Sequence, residues 1–480
     1  MTWNRREVLA GLGIAGAHLL AFGCGSPPPV ARPRYEVSGE IRSWLREAVE
    51  LMSGGRNGDT TGTALAVSRR HTAAAEDVLG AGVGHARADG VVLRYWTGAG
   101  GVRPFEQATS ELSRDGVMNA ARILVKGSPA PRRVDFGPPP QPAPTPKPDP
   151  DQLDDAMYLQ RLAAVDKRET GLSSRIVYAA NLLEVDDAMV WFVGPRRDYE
   201  QRLFRVRRKL TRVAWNGTRP IISEVSRAWR GGLDDEQFSD DDLAYAREIA
   251  LSLMTPGSFD DGEYEVVLAP DVVAALVDAA ARTVYSLRSI DLPEVTARVT
   301  SGLIASPSVT IVDDPTKAHA YGSFEFDDEG EVASPIGIVD RGKFTKPLHR
   351  VRRPGHSGPA ETPPSHLVVS PGTISSALVP QRGFRLEGDR GVSIDPASDR
   401  CVIAAQRAVE FDKGQRTGRQ FTDIELVGTL SGLLGTFGDA TSATKSIGIR
   451  DDRDGLPCWR SVDAPAIRAK GTLRARRRPA

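Results

Sequence analysis

Apolar positions in the stretch Val266–Ser286 change their spacing in a way that predicts a strand followed by a helix. The run "VVLA" is typical of a short buried strand, and Pro270 marks the turn after it. Beyond the turn, apolar residues recur near the helical period of 3.6: Val272, Val273, Leu276, Val277, Ala280 and Val284. The helix also carries Asp278, Arg282 and Thr283 among alanines, so it is a candidate position for chemistry.

The same patterns divide the chain into units. Residues 36–126 mix helices and strands and predict an α/β domain, with Ser113 as a helix N-cap. The proline-rich residues 127–150 predict an extended, exposed linker, because proline is excluded from helix interiors and sheet centres. Residues 151–256 predict a small antiparallel unit, and residues 257–475 a β-rich domain with one prominent helix. The fold class is therefore α+β.

Alternation in the middle unit, "LFRVRRKLTRVAW", puts Leu203, Arg205 and Arg207 on one face of a strand and Phe204 and Val206 on the other. This pattern predicts an antiparallel sheet with one solvent-exposed face. We expect the strand's basic side chains to lie on an exposed polar surface, with binding of an anionic ligand as the alternative. They are Arg202, Arg205, Arg207, Arg208 and Arg212.

The first residues resemble an export signal rather than a folded element. Arg5 and Arg6 precede an apolar run, Val8–Phe22, that is short for a membrane span. This resembles a twin-arginine signal, and "LAFGC" resembles a lipobox in which Cys24 is lipidated after cleavage. Residues 1–24 are thus the expected signal and 25–35 a proline-rich tether. We expect the protein in the cell envelope or periplasm, anchored by its lipid, or in the cytoplasm if the signal is not used.

Charge and cysteine content narrow the function further. The chain has 62 basic and 62 acidic residues, so no overall field recruits nucleic acid. Its 3 cysteines, Cys24, Cys401 and Cys458, form neither a disulfide framework nor a CxxC metal pair.

Several stretches, in order, resemble the TldD/PmbA family of metallopeptidases, also called the modulator of DNA gyrase family, and its non-catalytic partners. They are "GVVLRYWTGAGGVRPFEQATSELSRDGVMNAARI", "YEVVLAPDVVAALVDAA", "VTIVDDP", "FEFDDEGEVASPIGIVDRGKF" and "LPCWRSVDAPAIRAKGTL". The resemblance extends from Ser38 to Leu473. It implies a dimer enclosing a cavity for peptides, with zinc-bearing and zinc-free kinds of subunit.

Catalytic members carry HExxxH on the helix that follows "VVL-x-P". Two histidines one turn apart bind zinc, and the glutamate activates the zinc-bound water. Here the histidine positions are Asp278 and Thr283, and the glutamate position is Ala279, so the motif reads "DAAART". We interpret the site as degenerate and expect Asp278 to be an exposed carboxylate paired with Arg282 at i+4.

The family's cysteine ligand belongs near "SATKSIGIRDDRDG", which contains no cysteine, and Cys458 beyond it is interpreted as a small buried apolar residue. A relocated metal site would draw on His349, His356 or His366, although surface loop histidines are the expectation. The sequence thus predicts a non-catalytic subunit without a cofactor, which binds peptide or pairs with an HExxxH-bearing homologue. An active peptidase with relocated zinc ligands and an envelope lipoprotein with a structural or binding role are the alternatives.

Overall fold

The computed structural model describes residues 38–53, 60–97, 105–125, 131–140, 146–147, 152–169, 173–217, 220–253, 258–302, 304–348, 364–453 and 456–476. Cys24, His349 and His356 lie outside these residues, as does the predicted signal. The helices of the described chain are α1 (Ser38–Met52), α2 (Arg114–Val125), α3 (Asp155–Arg168), α4 (Asp240–Ser252), α5 (Pro270–Thr283), α6 (Leu287–Ile290), α7 (Pro293–Thr300) and α8 (Leu430–Gly435).

The first sheet is antiparallel and has the strand order β3-β2-β1-β4-β5-β6. Its long hairpins bury one face under helices, as alternating apolar residues require. Ser113 caps α2 as predicted, since its Oγ accepts a hydrogen bond from the Gly116 backbone N–H, and Ser239 forms a capping box with Asp242 at the start of α4. The strands are β1 (Thr60–Asp77), β2 (Gly80–Thr97), β3 (Phe105–Thr109), β4 (Ile176–Gly194), β5 (Arg197–Trp215) and β6 (Pro220–Arg230).

This sheet joins the two units predicted for residues 36–126 and 151–256. Strand β1 of the first unit pairs with β4 of the second along most of its length. In the proline-rich segment between them, residues 131–140 form no helix or strand, as predicted, but Val134 and Phe136 pack against the core under α1 and α2. The segment therefore runs along the first sheet's core, and the exact domain boundaries remain a prediction.

The prediction that the arginines of β5 lie on a solvent-exposed face is wrong. Arg202, Arg205, Arg208 and Arg212 are buried, and Arg207 forms an ion pair with Glu184 at 3.1 Å. Buried guanidinium groups need partners, and these are found within the chain. Arg202 binds Asp187 at 2.9 and 2.8 Å, and Arg205 donates to the Tyr321 carbonyl at 2.8 Å. The alternation puts Arg205 on one face of β5 and Arg202, Arg208 and Arg212 on the other, so the buried arginines lie on both faces. The sequence did not show that other parts of the chain cover them.

The second sheet contains a closed barrel. Its strand order is β10-β9-β8-β11-β17-β15-β13-β12-β7, and pairing of β17 with β7 closes the ring, while β14 adds to β13 and β16 to β17. The strands are β7 (Gly262–Leu268), β8 (Ile311–Asp313), β9 (Ile336–Asp340), β10 (Lys343–Phe344), β11 (His366–Val369), β12 (Arg382–Ile394), β13 (Arg400–Asp412), β14 (Gln415–Phe421), β15 (Ile424–Thr429), β16 (Ala440–Arg453) and β17 (Leu456–Ala475). The α+β class with a β-rich C-terminal domain is confirmed. No helix within the described ranges is long and apolar enough to cross a membrane.

Candidate functional site

The predicted strand and helix at Val266–Ser286 are confirmed as β7 and α5. Pro270 occupies the first helical turn, where its missing N–H costs nothing. The helix is apolar on most of its circumference and is buried in the core of the second sheet, against β12 and β17. It presents the three positions of the degenerate motif, Asp278, Ala279 and Thr283, on one stretch of its last two turns.

Asp278 is buried, with 3% of its surface exposed, so the expected exposed carboxylate is wrong. The predicted pair with Arg282 is present, with Arg282 Nε 2.8 Å from Asp278 Oδ2. A second guanidinium, that of Arg460 on β17, donates from Nε to Asp278 Oδ1 at 2.7 Å and from Nη2 to Oδ2 at 3.3 Å. Both carboxylate oxygens are therefore engaged by cations of the chain itself.

Arg460 is itself held from two sides. Its Nη1 and Nη2 donate to Asp451 Oδ1 and Oδ2 at 2.8 and 3.0 Å, a bidentate pair with good geometry. The pKa of the Asp451 carboxyl is lowered by these hydrogen bonds. Burial alone lowers the pKa of the Arg460 guanidinium, but Asp451 and Asp278 raise it overall. We call Asp278, Arg282, Asp451 and Arg460 the charge cluster. It holds two positive and two negative side chains.

The remaining motif positions offer no chemistry for hydrolysis. Ala279 is buried and has no side-chain base. Thr283 Oγ1 donates to the Ala279 carbonyl at 2.6 Å, so its hydroxyl is used within the helix. A zinc site needs neutral imidazole, thiolate or free carboxylate ligands, and a hydrolytic one also needs a general base. The residues present do not fit zinc, because the one carboxylate is bound by two guanidinium groups.

The histidines expected on surface loops include one that is deeply buried. His366 is 0% exposed in β11, with Nδ1 2.8 Å from Ser461 Oγ and Nε2 3.5 Å from Asp463 Oδ2. Asp463 also pairs with Lys317. His366 therefore joins β11 to β17 as part of a buried polar network. Within the described ranges, no three His, Cys, Asp or Glu side chains lie together so as to hold a metal ion.

Cys458 is also near the charge cluster, since it lies two residues before Arg460 and opposite Asp451 in the β16–β17 ladder. It is a half-buried free thiol, whereas the sequence interpretation was a buried apolar residue.

The other face of β17 attaches the charge cluster's strand to the first sheet. The guanidinium groups of Arg69 and Arg205 both lie against the Trp459 ring, with their Cζ atoms 4.5 and 4.7 Å from the ring centroid. Its Nε1 donates to Asp186 Oδ2 at 3.0 Å, and Asp186 also accepts from His71 Nδ1 at 3.0 Å. Two cation–π contacts and a charged hydrogen bond thus fix the strand next to Arg460.

The Asp186 carboxylate should make folding stability depend on pH. Burial by itself raises its pKa, but the His71 hydrogen bond and Arg69 lower it overall. A carboxyl with a lowered folded pKa stabilises the fold above its unfolded pKa of about 3.9, and this contribution is lost as the pH falls through the folded pKa. The Asp186→Asn variant should be less stable than wild type by about 3 kcal/mol at pH 7. Urea unfolding at pH 7, 5 and 3 should show this gap narrowing by about 1 kcal/mol between pH 5 and pH 3. A gap that stays constant over this range would contradict the assignment.

Part of the chain is similar in sequence to known metallopeptidases. Residues 261–472 match the family model of the PmbA/TldA metallopeptidase C-terminal domain. A metalloprotease of Methanocaldococcus jannaschii is 26% identical over 229 residues, which is 42% of this chain and 49% of the relative, so the match spans about half of that relative's length.

Solved structures resemble the whole fold. A proposed modulator of DNA gyrase from Thermotoga maritima has a TM-score of 0.68 at 15% identity, covering 91% of this chain and 100% of that one. A second, from Bacteroides thetaiotaomicron, has a TM-score of 0.68 at 15% identity, covering 92% and 100%. TldE from Thermococcus kodakarensis has a TM-score of 0.64 at 15% identity, covering 87% and 97%. At this identity the likeness concerns the fold.

Proposed function

We propose, from the premise that this chain belongs to the TldD/PmbA family, that it is a non-catalytic member that binds peptide or completes the cavity of a zinc-bearing homologue. A peptidase subunit without its own zinc can still contribute binding surface to an assembly. The family match supports the relation to metallopeptidases, and the site residues support the loss of the reaction.

The observation that supports this proposal most strongly is the pairing of the Asp278 carboxylate with two arginines. Its two oxygens accept from Arg282 and Arg460, and the positive charge of Arg460 lies 2.7 Å from the carboxylate, where a catalytic member has a zinc ligand. A dication brought to this carboxylate would have to displace a bidentate, buried guanidinium. The charge cluster therefore supports an inactive site more strongly than the absence of the HExxxH letters alone.

Export and lipid anchoring belong to the same proposal. Arg5, Arg6 and Cys24 support a periplasmic or envelope location, in which the proline-rich residues 25–35 hold the folded chain near the membrane. The proposed partner is then a second subunit in the same compartment that carries HExxxH.

Zinc content of the purified chain tests the proposal. After mild dialysis, elemental mass spectrometry should find less than about a tenth of an equivalent of zinc per chain, because the donor set does not fit a tetrahedral site. Near one equivalent, lost together with chelator-sensitive peptide cleavage when His366 is replaced by alanine, would overturn the proposal in favour of relocated ligands. A zinc-bearing homologue that is purified and dialysed in parallel is the positive control.

A co-expression experiment tests whether the chain has the proposed partner. Co-expression with an HExxxH-bearing homologue should yield a complex whose zinc is carried by the homologue alone. A chain that neither enters such a complex nor binds unfolded peptide would contradict this half and would favour a structural role in the envelope.

A further inference from the structure

We propose that a small cavity beneath α3 binds a chloride ion, which balances the buried guanidinium group of Arg208. The cavity lies between α3 and the two long strands β4 and β5 of the first sheet. The proposal is independent of the proposed function, since the cavity contains none of the residues of the charge cluster.

The first observation is a buried cation with long hydrogen bonds. Arg208, on β5, is 5% exposed. It donates from Nη2 to the Leu233 carbonyl and to Asp234 Oδ1, both at 3.3 Å, whereas Arg202 on the same strand binds Asp187 at 2.9 and 2.8 Å. Arg208 Nε is buried and has no hydrogen-bond partner among the described residues. A buried charge is costly unless it is paired and hydrogen-bonded, so this guanidinium group lacks part of its compensation.

Asp234 does not balance Arg208 on its own, because it is already paired with Arg161. Arg161 donates from Nε and Nη2 to the two Asp234 oxygens at 2.8 and 2.6 Å, which is a bidentate pair. The Trp229 ring centroid is 5.8 Å from Arg208 Cζ, near the limit of a cation–π contact. Burial lowers the pKa of the Arg208 guanidinium group, and Asp234 does not fully offset this. Two guanidinium groups therefore share one carboxylate, which leaves one positive charge in excess.

The second observation is the cavity itself, which Arg208 lines together with Arg161 and Asn181. The cavity has room for about one water-sized particle. Asn181 is already engaged, since its amide donates to Asp166 and its oxygen accepts from Arg212 at 2.9 Å. The other side chains around the cavity are apolar: Leu162, Val165, Leu182, Leu183 and Phe238.

These surroundings favour a monatomic anion over a water molecule. A buried water is held by several polar partners, which include acceptors for its own hydrogens, and the apolar side chains of the cavity offer none. Chloride has no hydrogens that need acceptors, it accepts hydrogen bonds from a guanidinium group, and its charge balances the excess positive one. Sulfate, phosphate and carboxylate groups are too large for a space that holds one water. The ligand class is therefore a halide.

Bromide can locate the site, because it is close to chloride in size and gives an anomalous X-ray signal. A crystal of the full chain grown in sodium bromide should show an anomalous peak in the cavity, next to Arg208 Nε. A cavity without this peak would overturn the proposal. So would density that is the same in halide-free crystals, because that density would belong to water.

Thermal unfolding tests whether chloride occupies the site in solution. At constant ionic strength, replacing about 0.2 M sodium gluconate by sodium chloride should raise the melting temperature by about 1–2 °C, because chloride binds only the folded chain and gluconate is too large to enter. Arg208→Met removes the cation and keeps an unbranched side chain, so its melting temperature should not depend on chloride. The matched control is Lys209→Met, which changes the next residue of β5, paired with Glu224, and should keep the wild-type shift.

The two measurements together decide the proposal. A chloride shift that Arg208→Met retains would place the effect elsewhere and overturn it. A bromide peak without any chloride dependence in solution would mean binding at crystal concentration only, and would overturn it too. If Arg208→Met does not fold, the bromide peak and the wild-type shift still give the answer, since both are measured on the unaltered chain.

Discussion

The Asp278→Asn variant is expected to lose about 3–5 kcal/mol of unfolding free energy, because it removes the compensating charge of a buried guanidinium. Arg460 is 2% exposed and depends on Asp278 and Asp451 for its partners. The asparagine keeps the volume of the side chain, so the loss reports charge rather than packing. Urea unfolding monitored by circular dichroism at neutral pH measures the difference.

The matched control is Arg282→Gln, which removes the other cation of the same carboxylate. The Arg282 side chain is 38% exposed, so its i,i+4 pair is worth well under about 1 kcal/mol after screening by solvent. If both variants cost the same, Arg460 does not depend on Asp278 in the way its geometry indicates. A large loss in Asp278→Asn alone would confirm that the charge cluster joins α5 to the β16–β17 hairpin.

Local features of the sequence predicted the elements that carry the site. The change from strand to helical spacing gave β7 and α5 with nearly correct ends, since apolar periodicity and Pro270 act over a few residues. The capping of α2 by Ser113 was predicted for the same reason. The strand at β5 was also predicted, although its arginines are buried on both faces and not exposed on one.

The partner of Asp278 could not be predicted in the same way. Arg460 is 182 residues away in sequence, and the pairing depends on barrel closure by β17, which no local pattern shows. The expectation of an exposed Asp278 followed from its charge, because unpaired carboxylates are rarely buried. The sequence contains one signal, the arginine next to a tryptophan in "CWRS". It does not show which face of β17 each of these residues occupies.

The hairpin of β16 and β17 connects both halves of the molecule. Alternate side chains of β17 point in opposite directions, so Trp459 contacts the first sheet while Arg460 contacts α5. Arg450, opposite Trp459 in the ladder, adds an ion pair to Glu184 of β4 at 2.5 Å. The charge cluster is therefore held in place by contacts from two sheets, and its ion pairs join α5 to the hairpin.

Restoring the motif alone should not restore zinc binding. A variant with Asp278→His, Ala279→Glu and Thr283→His regains the HExxxH letters, but Arg460 keeps its positive charge next to position 278. A dication about 4 Å from that guanidinium meets a repulsion of about 8 kcal/mol at an effective dielectric constant of 20. Adding Arg460→Ala removes the repulsion and releases the Asp451 carboxylate as a third ligand beside the two imidazoles. We expect the fourfold variant to bind zinc at least a hundredfold more tightly than the threefold variant in competition with a chromogenic chelator.

Arg419→Ala, which removes an exposed arginine paired with Glu410, is the control and should leave the affinity of the threefold variant unchanged. Tight zinc binding by the threefold variant would mean that Arg460 moves away without cost, and the charge cluster would then not be what excludes the metal.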